Sequence, residues 1–169
     1  MKNQHSTAIL PFDMRERLKK RVGEILIEAG VLTAEKLNEA LSHQKKEGGL
    51  LGQILISLGI IKEESLVAAL GHQLQVPYIP LQNYAINPDA LTLFDEEFCR
   101  QNLVLAFEKD EKRLFLAMSD PLNEMAVETV EKQCGLKVQV FISTPSEIMS
   151  TLDLAFAAAS AKKELKKAS

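Results

Sequence analysis

Apolar residues recur at helical spacing through the first half of the chain and gather in short strand-like runs through the second. Val22, Ile25, Leu26 and Ala29 fall at intervals of three and four, which predicts one face of a helix. Gly30 suits the left-handed position that ends such a helix. Thr33 is a good N-cap, with Glu35 in the first turn where the helix dipole favours a carboxylate. Leu37, Ala40 and Leu41 then supply the apolar stripe of a second helix, until Glu47-Gly48-Gly49 breaks it.

After that break the pattern restarts. Shifted by 29 residues, Arg21–Gln44 aligns with Leu50–Gln73, and 11 of 24 positions are identical, among them Gly23/Gly52, Gly30/Gly59, Leu37/Leu66, Leu41/Leu70, His43/His72 and Gln44/Gln73. Neither helical hairpin buries its stripe alone, so the two are expected to pack together as a four-helix bundle.

The second half reads differently. Val76-Pro77-Tyr78-Ile79-Pro80 predicts an extended linker, because a residue preceding proline avoids the helical region. Asn87-Pro88-Asp89 opens a helix through Phe94 that is expected to continue to Arg100. Leu103 to Phe107, Arg113 to Met118 and Lys137 to Ile142 read as strands, the first two joined by the charged turn 108–112. Asn123 to Cys134 reads as a helix ending at Gly135. Thr144, Pro145 and Glu147 make a helix start, with that helix expected to run to about Ala158. The fold class is therefore α+β: residues 1–13 a flexible N-terminus, 14–75 a helical tandem-repeat subdomain, 76–158 a small mixed α/β subdomain with about three strands, and 159–169 a lysine-rich tail.

Composition narrows the function. A formal net charge of −3, no Trp and two Tyr argue against a general nucleic-acid binder with a base-stacking platform. Cys99 and Cys134 are far apart and are expected to be reduced thiols in a cytoplasmic protein. No apolar run approaches the roughly 18–20 residues of a membrane span, so no direct membrane insertion is expected. The sequence has no GxxxxGK[ST] loop, no HExxH or Cys/His metal spacing and no GxSxG elbow. His43 and His72 are repeat equivalents, whereas a catalytic base is usually unique. The expectation is a protein that is not an enzyme and uses no cofactor or metal.

The doubled motif, Arg-Leu-Gly-x-x-Leu-x-x-x-Gly-x6-Leu-x-x-x-Leu-x-x-Gln with a five-residue spacer, resembles the N-terminal domain of type II secretion and type IV pilus assembly ATPases. The resemblance is closest to the subset called MshEN domains, in which the double motif binds cyclic di-GMP. Here the first copy is Arg21, Val22, Gly23, Leu26, Gly30, Leu37, Leu41 and Gln44; the second is Leu50, Leu51, Gly52, Leu55, Gly59, Leu66, Leu70 and Gln73. The segments from Val76 to Leu81 and from Leu116 to Asn123 are similar to two further stretches of that family.

The resemblance implies a cyclic di-GMP receptor without an ATPase core, acting through a protein partner of a secretion, pilus or motility system. It also implies a set of ligand-binding residues: Arg21, Val22, Gly23, Leu37, Leu41, Gln44, Leu51, Gly52, Leu66, Leu70, Gln73 and Asp120. The chemistry suits such a ligand. An arginine donates two hydrogen bonds to guanine O6 and N7, a glutamine offers a donor and an acceptor, and a carboxylate accepts from guanine N1 and N2 hydrogens. Arg15 to Arg21 is locally basic, and Gly23 and Gly52 leave room for close approach to the backbone. Leu50 replaces arginine in the second copy, so the two half-sites are expected to be unequal. The alternative is a docking module that keeps the fold and has lost the ligand.

Overall fold

The computed structural model describes residues 22–169; the expected N-terminus 1–13 and the basic stretch ending at Arg21 lie outside the described residues. The described elements, in chain order, are α1 (Val22–Glu28), α2 (Ala34–Glu47), α3 (Leu51–Ser57), α4 (Glu63–Leu74), α5 (Pro88–Leu91), α6 (Glu96–Asn102), β1 (Val104–Lys109), β2 (Arg113–Met118), α7 (Glu124–Cys134), β3 (Lys137–Ile142) and α8 (Pro145–Lys167).

Each repeat is a short helix, a tight turn and a long helix. Gly30 and Gly59 close the short helices at φ 73° and 67°, a region that costs a side-chain-bearing residue about 1–2 kcal/mol. The hairpins interlock crosswise: α1 of the first repeat packs on α4 of the second, and α2 of the first packs on α3 of the second. Leu26, Leu55, Leu66 and Leu70 meet in the resulting core with almost no exposure. Burial of each stabilises the bundle by about 2–3 kcal/mol.

The α/β unit carries a second core around Leu105, Leu114, Leu116, Met118 and Ile148. β1 pairs antiparallel with β2, and β2 pairs parallel with β3 from Arg113↔Lys137 to Met118↔Ile142, with α7 as the crossover. The hairpin turn is held by Asp110, whose Oδ1 accepts from the backbone N–H of Lys112 (2.8 Å) and Arg113 (2.7 Å).

Three expectations change. The helix expected from Asn87 to Arg100 is two helices, because Thr92–Phe94 turns and Asp95 takes an extended conformation (φ −66°, ψ 140°) ahead of Glu96. α8 does not stop near Ala158 but continues to Lys167 through a run that, apart from Ser160, is Ala, Lys, Glu and Leu, strong helix formers. The linker is extended as expected but not free: Ile79 N–H donates to the carbonyl of Ile142 (3.0 Å), and Ile142 N–H donates to the carbonyl of Pro77 (2.9 Å). Tyr78 thereby forms a parallel bridge to the end of β3.

The two units share a joint. Ile142 is buried in the bundle core and Leu122 packs against it, while Leu50 reaches the other way, onto the α/β core. Glu63, at the start of α4, accepts from the backbone N–H (3.0 Å) and hydroxyl (2.8 Å) of Ser146 in the first turn of α8. Glu147 completes a capping box with Thr144 and also accepts from the hydroxyls of Tyr78 (2.8 Å) and Ser143 (2.9 Å).

Candidate ligand-binding site

The interlocked hairpins put the motif residues in two layers. Val22, Leu66 and Leu70 are core, with exposures of 9%, 1% and 0%, so they support a surface rather than form one. Leu37, Leu41 and Leu51 are half-buried, and Leu37 and Leu51 pack against the bundle core while keeping part of their surface in solvent. Gln44 is half-buried and Gln73 exposed. Arg21 lies outside the described residues.

The two glycines have a packing reason that sequence reasoning missed. A side chain added to Gly23 would collide with the Leu37 isopropyl group, meeting Cδ2 at 2.8 Å and Cδ1 closer still. At Gly52 it would meet Leu66 Cδ2 at 3.1 Å. The gap is filled by the leucine of the same repeat. Each glycine thus lets a leucine of its own repeat pack closely against the short helix. The usable signal was the shared spacing, since Gly23–Leu37 and Gly52–Leu66 are equivalent pairs.

The polar candidates differ in readiness. The Gln44 amide donates to the carbonyl of Gly49 (2.9 Å), which fixes its orientation and leaves its own carbonyl oxygen as an acceptor. His43, beside it, has its Nδ1 buried without a partner, and its Nε2 stands 3.5 Å from Glu47. Asp120 follows β2, two residues before Leu122, which packs against the bundle core. Its Oδ1 accepts from the Leu122 backbone N–H (3.0 Å), making a turn before α7. Burial holds its carboxyl above the ordinary carboxylate range, and that hydrogen bond only partly offsets it. Such a group gains from a further donor, because burial penalises the charged form. The structure thus places Asp120 close in sequence to a bundle contact, while no hydrogen bond joins it to Gln44 or Gln73. Among the described residues there is no cluster suited to hold a metal ion, and no helix is long and apolar enough to cross a membrane.

Comparison with known proteins places this geometry. A type IV pilus assembly ATPase, PilB of Myxococcus xanthus, is 28% identical over 137 residues, covering 81% of this chain and 24% of that protein. PilB of Thermus thermophilus is 31% identical over 135 residues, covering 79% of this chain and 15% of that protein. The chain thus spans a quarter or less of the length of these relatives. Among solved structures, the N-terminal domain of XpsE superposes with a TM-score of 0.66 at 20% identity, covering 80% of this chain and 94% of that one, which is a likeness of fold. The structure of MshE with cdg superposes with a TM-score of 0.63 at 32% identity, covering 80% of this chain and 99% of that one. The family model for the MshEN domain matches residues 74–162, from the last turn of the bundle to the projecting part of α8. That match takes in more than half of the sequence, and the chain belongs to the MshEN domain family.

Proposed function

We propose that this chain is a cyclic di-GMP receptor module that is not itself an enzyme, works in the cytoplasm and signals to a protein partner of a secretion, pilus or motility system. The observation that carries the reading is the set of partly solvated apolar and glutamine positions that the paired hairpins present, Leu37, Leu41 and Gln44 from the first and Leu51 and Gln73 from the second. A cyclic dinucleotide is itself nearly two-fold. MshE, with which this chain shares 32% identity over nearly all of the superposed domain, is a structure with cdg. In this reading Leu37, Leu41 and Leu51 contact the bases, Arg21, Gln44 and Gln73 supply hydrogen bonds, and Asp120 accepts from a guanine edge. Val22, Gly23, Gly52, Leu66 and Leu70 hold that surface from beneath. The desolvated Asp120 carboxylate favours guanine over adenine, since only guanine offers two adjacent N–H donors there.

The test is isothermal titration of the folded chain with cyclic di-GMP and with cyclic di-AMP. Saturable heat is expected for the first only, weakened at least tenfold by Arg21→Ala and by Asp120→Ala. A folded protein that gives no heat at tens of micromolar would sink the reading and leave a ligand-independent docking module. Leu50 favours that second reading in one respect: its packing on the α/β core leaves the second half-site without a basic donor.

A further inference from the structure

α8 is longer than its job in the core requires. Pro145, Ile148, Thr151 and Leu152 are its buried positions, and the residues after Ala159 are all exposed. Along the side turned from the core, Leu154, Ala158, Ala161 and Leu165 recur at intervals of four, three and four, the spacing of a helix–helix seam. Leu154 and Leu165 are 75% and 72% exposed, an arrangement that leaves two large apolar side chains in water. Beside this seam runs a groove of about 340 Å³ between α8 and the chain from Leu81 to Leu91, lined by Leu81, Ile86, Leu91, Leu154, Ala158 and, at its basic end, Lys162. None of the groove residues belongs to the candidate nucleotide site.

Charge identifies the occupant. The chain is acidic as a whole, yet Lys162, Lys163, Lys166 and Lys167 crowd the last turns of α8 with Glu164 as their sole acidic neighbour in that run. None of the four forms an ion pair with a described residue. Lysine at a helix C-terminus is favoured by the dipole, but the dipole does not account for the leucines alongside. An apolar seam with alanines at its centre lets a second helix approach closely, and an unpaired basic end selects one that carries carboxylates. A lipid surface fits less well, because an interfacial helix buries a broad apolar face and this seam has two large residues.

We propose that the groove and lysine-rich end of α8 dock an acidic amphipathic helix of another protein, in the helix-in-groove manner, independently of cyclic di-GMP. The test uses the full chain and a labelled synthetic helix of Leu, Ala and Glu, with a counterpart in which Lys replaces Glu, followed by fluorescence anisotropy. Saturable binding of the acidic helix alone is expected, weakened at least tenfold by Lys162→Glu with Lys166→Glu, and at least tenfold by Ala158→Arg. Leu165→Glu, at a fully solvated position that leaves folding intact, is expected to weaken it as well. The proposal is overturned by equal binding of both helices, by no saturable binding, or by variants that leave binding unchanged. Tighter binding to phosphatidylglycerol vesicles than to the acidic helix overturns it in favour of a membrane surface. A sedimenting dimer dispersed by Ala158→Arg, without peptide binding, overturns it in favour of a second copy of the chain.

Discussion

The two repeats share nearly half of their residues and have come to do different work. In the second, Leu66 is sealed in the core, Leu50 packs on the α/β unit, and a side chain added at Gly71 would meet the Val76 carbonyl at 3.2 Å and Ile142 at 3.4 Å. α4 leads directly into the strand-paired linker, so this repeat is the joint of the molecule. In the first, Leu37 stays half-buried, Gln44 is oriented by Gly49, and the long helix runs to Glu47. Equal sequence patterns therefore fixed equal local shapes but not equal surroundings. At the equivalent pairs Leu37/Leu66 and Leu41/Leu70 the first repeat leaves its leucine partly solvated, while the second seals its own in the core.

The sharpest way to break the comparison is to truncate its paired leucines. Leu66→Ala is expected to cost about 2–5 kcal/mol of stability and Leu37→Ala roughly 1 kcal/mol, as urea denaturation measures it, because only the first empties a sealed site. Equal losses would mean the two environments are the same. Next come the glycines. Gly23→Ala must rotate Leu37 out toward solvent, which costs about 1 kcal/mol or less after the gain in helix propensity, yet it should weaken cyclic di-GMP binding at least tenfold. Gly52→Ala presses on a leucine with nowhere to go and should lower stability more than it alters binding.

Smaller effects follow at the helix ends. Thr33 caps α2 by accepting from Lys36 N–H (3.3 Å), while Lys62, its counterpart, makes no side-chain cap for α4. Thr33→Ala should cost about 1 kcal/mol and Lys62→Thr should return about half as much, both read from thermal midpoints. Of similar size is Gln75→Gly. Gln75 ends α4 at φ 54°, and relieving that conformation should stabilise the protein by about 0.5–1 kcal/mol. No gain would show that its side chain holds something glycine does not.

What could be read from the sequence was what neighbouring residues decide among themselves. The capping box of Thr144 and Glu147, the helix stops at Gly30 and Gly59 and the strands Arg113–Met118 and Lys137–Ile142 depend on short spacings and stand where those spacings put them, while β1 lies one residue later than Leu103 and runs two residues past Phe107. The break before α6 also had a local sign, Asp95 followed by two glutamates, which the apolar run through Leu91 and Phe94 obscured. Contacts between distant segments left no such sign. Glu63 and Ser146 are 83 residues apart, and nothing in either neighbourhood announces the other. The same holds for Ile142, which reads as the last residue of a strand and is also part of the bundle core. For the candidate site, the motif named candidate positions and the fold sorted their burial: Leu66 and Leu70 are sealed in the core, while Leu37, Leu41 and Leu51 stay partly solvated.

The grip of Glu63 on the first turn of α8 has a mechanical corollary. A helix of that length extends about 34 Å from its anchored end, so a tilt of about 5° imposed at Ser146 carries the far lysines through about 3 Å. Anchored beside the hairpins at its first turn and exposed beyond Ala159, α8 would turn a slight adjustment near the bundle into a larger displacement at its lysines.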